Sequence, residues 1–450
     1  MVWQYRLFYL ILFLLPTNLA RHFILPSSYV SGTLVDYLVP TVYLTDFLIF
    51  LLLGLWFSSS SRPKGRGPTA VFLALLLPSV IFSASFVPAA YKWLKFFELS
   101  LFSLWIRRHI DLKIHLPSIA KTLSLAVLFQ SLLALTQWLN QSSIFGFWFL
   151  GEQPYTDATP GIDKITWFDG SLKVQPLGTT PHPNVLGGFL AVTLPLVIRQ
   201  HLQGLSLKVN FLRTTYYGLL ITAGVASLFL TFSLSAWLGF LLIGLPAATL
   251  LQTDSLKQKL RAKQLALIKD LPRFSFWQDR LSNPTPGVEE FFTPGVKSVA
   301  VKLVAFYAGV LLLFLVFAQN LSFLAPQSSF SRRSQLTQMA LSMVKESPLT
   351  GVGLNNFTVI MDRYGLIPAT TRFLQPVHNV YLLILAETGI LGLAGFLYLI
   401  FSPFYRAIKS KNYSLPITLY GLLLFLGLFD HYPLTLQPGL LFLFLLSSLI

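Results

Sequence analysis

The residues able to do chemistry gather at a few points of the chain. Arg332 and Arg333 stand together ahead of Leu336, Met339, Ala340, Met343 and Val344, which recur at helical spacing. That spacing predicts an amphipathic helix from about Ser331 to Ser347-Pro348, with both arginines in its first turn and a turn at Gly351-Val352-Gly353. The helix dipole disfavours cations at an N-terminus. An anionic ligand would reverse that penalty, because free N–H groups and guanidinium forks both suit phosphate. A pair of surface arginines is the other reading. His378-Asn379 follows. A neutral imidazole takes a proton from a hydroxyl at neutral pH, and a histidine at a membrane interface also serves as a hydrogen-bonding anchor. Glu387 lies nine residues on, which at about 100° per residue is the opposite face of a straight helix. Inside an apolar run its carboxylate needs a partner, either as a functional group or as structural glue. His182-Pro183-Asn184, with Asn184 as a predicted helix cap, and Asp430-His431-Tyr432 each admit a catalytic and an anchoring reading. Gly389, Gly392 and Gly395 read as small residues that let helices pack closely.

The elements that must position these residues are helices in lipid. Of the 450 residues 54% are hydrophobic and 11% charged, with a mean hydropathy of +0.65. Water-soluble domains carry about 25% charged residues, so a string of soluble domains is excluded, and a disordered chain with it. The apolar blocks run for roughly 18 to 22 residues without a period of two, which fits helices and excludes an outer-membrane barrel. The net charge of +16 would suggest nucleic acid in a soluble protein. Here the basic residues flank apolar runs, where the positive-inside bias puts them, and nucleic acid is not expected as a partner. There is no cysteine, so disulfides and Cys-ligated metal are excluded.

The expected fold is an all-α polytopic membrane protein of about twelve spans, the first of them an uncleaved helix near 7–20. The others lie near 39–57, 68–85, 89–106, 117–138, 183–198, 214–232, 235–252, 303–322, 379–401, 414–430 and 436–450. Placing the basic loop of Arg62, Lys64 and Arg66 in the cytoplasm fixes every other loop by alternation. It puts 22 of the 33 Lys and Arg inside, 10 outside and Lys121 within a span, with both termini cytoplasmic. The organisation is then 1–138 (spans one to five), an extracytoplasmic loop 139–182, 183–322 (spans six to nine), an extracytoplasmic loop 323–378, and 379–450 (the last three spans). A basic inner loop at 253–302, with leucines at near-helical spacing, suits the anionic leaflet. The polar residues of interest then fall on the outer face. A transporter or lipid-glycan flippase is the rival class, but transporters place polar sites near the midplane between repeats, and no repeat is visible. No D-x-D, Walker A, H-E-x-x-H or G-x-S-x-G sequence occurs.

Four segments together resemble the O-antigen ligase/polymerase family of bacterial membrane glycosyltransferases. They are Leu177-Gly178-Thr179-Thr180-Pro181-His182-Pro183-Asn184, Pro348-Leu349-Thr350-Gly351-Val352-Gly353-Leu354-Asn355-Asn356-Phe357, His378-Asn379 with Glu387-Thr388-Gly389-Ile390-Leu391-Gly392, and Gly427-Leu428-Phe429-Asp430-His431-Tyr432. The resemblance implies a GT-C-like helical enzyme of the bacterial inner membrane, working on its outer face without metal or cofactor. It implies transfer of a glycan from an undecaprenyl diphosphate carrier to a hydroxyl of a lipid, glycan or protein. By the same resemblance His378 activates the acceptor hydroxyl and Arg333 holds the donor diphosphate. Arg332 and Lys173 are the further candidates for that diphosphate, since Leu234 and Gln175 stand where the family commonly has arginine. His182, Asn184, Asn379, Glu387 and His431 are expected to support the site.

Overall fold

A computed structural model describes residues 2–59, 68–146, 150–167, 169–205, 211–249, 327–365, 374–409 and 415–450. Apart from Thr249 these belong to one unit, Met1–Ala248 with Leu324–Ile450. The expected basic loop at 253–302 and the ninth span at 303–322 lie outside the described residues.

The apolar runs form helices, as lipid requires of a backbone that must satisfy its own hydrogen bonds. In chain order they are α1 (Val2–Phe13), α2 (Leu44–Ser59), α3 (Pro68–Ile81), α4 (Phe86–His109), α5 (Leu112–Asn140), α6 (Pro183–Leu205), α7 (Phe211–Leu230), α8 (Leu234–Gly239), α9 (Gln327–Glu346), the short α10 (Phe357–Ile360), α11 (Val380–Lys409), α12 (Leu415–Leu426), the short α13 (Tyr432–Thr435) and α14 (Gln437–Leu449). Among the described residues three segments are long and apolar enough to cross a bilayer: Leu112–Asn140, Pro183–Leu202 and Val380–Ala407. Shorter apolar helices, α2, α3, α12 and α14 among them, accompany these three.

The described residues are mostly helical, as expected, and among them three short two-stranded antiparallel sheets join the helices: β1 (Ala20–His22) with β4 (Thr41–Tyr43), β2 (Tyr29–Val30) with β3 (Thr33–Leu34), and β5 (Lys164–Thr166) with β6 (Leu172–Val174). The first helix, however, does not run from 7 to 20. It ends at Phe13, three residues short of Pro16, and the chain turns into β1, whose Ala20 pairs with Tyr43. An apolar run with a proline inside it ends as a helix near that proline.

The region that positions the site is built around α11. Gly389 breaks this helix with φ 63° and ψ −167°, a conformation open essentially only to glycine. The freed backbone takes up the segment after α9. Ile390 N donates to Pro348 O at 2.9 Å, Val352 N to Ala386 O at 3.0 Å and Gly353 N to Glu387 O at 2.9 Å. The Glu387 carboxylate completes the join, accepting Asn355 N at 2.9 Å and Phe357 N at 3.1 Å. Asn356 then ties this loop to the turn before α4 through Ser85, whose N–H it accepts at 2.6 Å. On the other side Leu336, Met339, Ala340 and Met343 of α9 are buried, and α9 packs against α11. The predicted apolar stripe is therefore the face that holds the arginine-bearing helix in place.

Candidate active site

The site forms where four chain segments end close to one another. Asn379 caps α11, its Oδ1 accepting Leu382 N at 2.9 Å. Its Nδ2 donates to Leu428 O at 3.0 Å, and Val380 N donates to Gly427 O at 2.8 Å. These bonds pin the start of α11 to the loop after α12 and so bring His378 to His431. The two rings lie 5.0 Å apart, edge to face at 66°. Replacing Asn379 by alanine removes the cap and the cross-link, and should cost about 1 kcal/mol. A thermal melt of Asn379→Ala checks this, and unchanged stability would sink the capping role.

Asp430 is the fixed anion of the site. It accepts His431 N at 2.7 Å and Asn184 Nδ2 at 2.8 Å. Burial opposes its ionisation, but the imidazoles of His431, His378 and His182 and the Asn184 amide outweigh that and hold the carboxyl down to about 2. Asn184 is therefore not the helix cap expected of it. α6 begins at Pro183, and the preceding His182 does the capping, its Nδ1 accepting Asn184 N at 3.1 Å. That bond leaves the His182 proton on Nε2, which faces Asp163 Oδ2 at 2.9 Å. Burial disfavours the His182 cation, yet Asp163 and Asp430 together raise its pKa above the usual histidine value.

His378 and His431 behave oppositely. Burial pushes His378 down to about 4 and His431 down to about 3, against the pull of Asp430. Both are uncharged at neutral pH. His431 Nδ1 lies 2.7 Å from Thr435 Oγ1, whose own proton goes to His431 O at 3.1 Å. Among the described residues His378 Nδ1 is buried with no hydrogen-bond partner, an exception to the general satisfaction of buried polar atoms that a substrate group would remove.

Arg333 reaches this group from α9, with Nη1 3.4 Å from Phe429 O. Arg332 acts electrostatically on Asp163 and His378. The helix is already formed at Gln327, so the arginines do not occupy its first turn and the dipole argument drops out. Their role has to rest on proximity to the histidines. Lys173 sits on β6 opposite Ile165, with its charge acting on Asp169 at the hairpin turn. Glu387 is engaged with the loop backbone and is not joined to the histidines.

The structure thus gathers His182, Asn184, His378, Asn379, His431 and Arg333. It also supplies Asp430, which the Asp-His-Tyr sequence had marked without a role of its own, and Asp163 and Tyr37, the latter's ring meeting that of His431 at 5.4 Å. Asp163 and Tyr37 have no local pattern to mark them. Such an arrangement offers an uncharged base, a fixed carboxylate and a guanidinium near one another.

A comparison with curated proteins returns no match. Residues 218–397, which include Arg332, Arg333, His378, Asn379 and Glu387, match the family model described as O-antigen ligase.

Proposed function

We propose that the protein moves a glycan from undecaprenyl diphosphate to an acceptor hydroxyl on the outer face of the bacterial inner membrane. The match of residues 218–397 to the O-antigen ligase model supports the general part, an O-antigen-ligase-type glycosyl transfer in a membrane protein. The assignment of parts is supported by one observation above the others: the unpartnered Nδ1 of an uncharged His378 beside a guanidinium-bearing helix.

The acceptor O–H gives its proton to His378 as the oxygen attacks the anomeric carbon. The bond from that carbon to the diphosphate oxygen breaks, and its electron pair leaves with the diphosphate. Arg333, Arg332 and Lys173 stabilise the charge that develops there. His182, Asn184, Asn379, Glu387 and His431 act as positioning residues. The step as written calls on no metal and no cofactor. A hydroxyl of a lipid, a protein or a second glycan satisfies it, so attachment and chain extension are one reaction at this site. A GT-C-like arrangement of about twelve spans, with both termini cytoplasmic and loops 139–182 and 323–378 outside, belongs to the same proposal.

Purified protein in vesicles, given carrier-linked glycan and acceptor, should form a new glycosidic bond that mass spectrometry detects. Movement of the lipid-linked glycan across the bilayer without a new bond would mark a flippase and overturn the reading. Arg333→Ala should raise the donor KM by about ten- to a hundredfold, the range for a hydrogen bond to a charged group. Arg333→Lys should raise it less, because lysine keeps the charge and loses the fork. Equal and negligible effects of the two changes would remove Arg333 from the site.

A further inference from the structure

A cavity of about 620 Å³ adjoins the site at His182. Three of its lining residues belong to the arrangement already described: His182, Tyr37 and Thr435. Arg332, Arg333 and His378 are not among the lining residues. Its volume falls in the range of small-ligand sites, roughly 300 to 1,000 Å³. The wall is polar and aromatic, with Tyr43, Tyr91 and Gln437 prominent in it, and it carries the side chains of Lys92 and Lys95.

Both lysines are buried within α4, Lys92 at 7% exposure. Lys95 is neutralised, with Asp46 Oδ1 2.5 Å away and Glu98 Oε2 3.4 Å away. Lys92 is not. Its ammonium donates to Leu434 O at 2.7 Å and Thr435 O at 3.4 Å, and stands 5.7 Å from the Phe96 ring. Among the described residues no carboxylate comes within ion-pair distance of it, and the lining holds one acid, Asp36, against the two lysines. The charge of Glu387 acts on it only from beyond ion-pair distance, and a buried cation so weakly compensated is costly. The two carbonyls at the end of α13 offset part of that cost. A purely structural cap of α13, however, requires no polar cavity beside it.

We propose that this cavity binds the second reactant and that Lys92 selects one carrying an anionic sugar, through a carboxylate or a phosphoryl group. Calling this reactant the acceptor rests on the transferase reading, in which the arginines hold the donor; the anion binding itself does not. Lysine serves as a point charge for either anion, without the fork geometry that would choose between them. Tyrosines and glutamine beside it supply the stacking faces and the donors and acceptors that a sugar ring requires.

Binding of three probes to the detergent-solubilised full chain tests this without any transfer assay: glucuronate, glucose 6-phosphate and glucose. We expect at least one anionic sugar to bind about tenfold or more tighter than glucose, the better of the two naming the anion. That preference should vanish in Lys92→Gln and persist in Lys92→Arg. If the wild-type chain binds neither anion better than glucose, the proposal fails, whatever the variants do. A preference that survives Lys92→Gln overturns it equally. Tight binding of inorganic phosphate with no gain from the sugar would assign the site to a bare phosphoryl headgroup and also overturn it. Loss of anion preference alongside intact glycosyl transfer to a neutral acceptor leaves the transferase reading standing, so the two are separable.

Discussion

His378→Ala should lower glycosyl transfer by about 10²- to 10⁴-fold, the usual contribution of a positioned general base, while the protein still inserts and folds. The expectation of intact folding has a structural basis. His378 Nδ1 has no hydrogen-bond partner to lose, and the bonds that fix the start of α11 belong to its neighbours Asn379 and Val380. A fall in transfer without a fall in melting temperature therefore reports chemistry. The pH profile gives a second readout. Burial drives the His378 pKa down to about 4, so the ring is neutral, and able to accept a proton, throughout the range above that value. Transfer should decline as the pH falls through about 4, and an ordinary histidine base would already decline near 6.5. An acid limb at 6.5, or a His378→Ala variant with full activity, would show that the proton goes elsewhere.

Gly389→Ala should destabilise the protein by about 3 kcal/mol or more and abolish transfer with it. Two costs combine. The backbone at φ 63° and ψ −167° costs a side-chain-bearing residue about 1–3 kcal/mol. A Cβ there would also overlap the backbone carbonyl of Leu349, so the segment after α9 would have to move off α11. That displacement breaks the pairing of Ile390 with Pro348 and disturbs the Glu387 bonds to Asn355 and Phe357. Gly421→Ala is the matched control. A Cβ there meets only the edge of Phe404, at 3.8 Å, and alanine is favoured over glycine within a helix by about 0.5–1 kcal/mol. The two variants should shift the melting temperature in opposite directions. A Gly389→Ala protein as stable as its parent would mean that the join between this loop and α11 is not structural.

The sequence reading assigned Gly389 to helix packing, and that difference shows where local pattern stops being informative. Periodicity identified α9 and its buried face correctly, because Leu336, Met339, Ala340 and Met343 meet α11 through a spacing that is a property of the helix alone. The apolar runs likewise became helices, since satisfying the backbone in lipid is a local demand. The turn at 351–353 was legible from its glycines for the same reason. A φ of 63° at Gly389, by contrast, exists only because another segment docks there, and nothing in its neighbours announces it.

Composition and spacing by themselves pointed to a helical membrane protein, and the resemblance of its motifs to the O-antigen ligase family singled out His378, Arg333 and His431. Tertiary structure alone decided that Asn184 serves Asp430 across 246 positions of sequence, that His182 caps α6, and that Glu387 locks a loop instead of joining the histidines. It alone turned Lys92 from a flanking charge into a buried one. The physical reason is one of range. Helix formation and apolar burial are set within a few turns of chain, and a residue's type reports them. Hydrogen-bond partners and electrostatic neighbours come from whichever segments packing brings together, and that information is distributed over the whole fold.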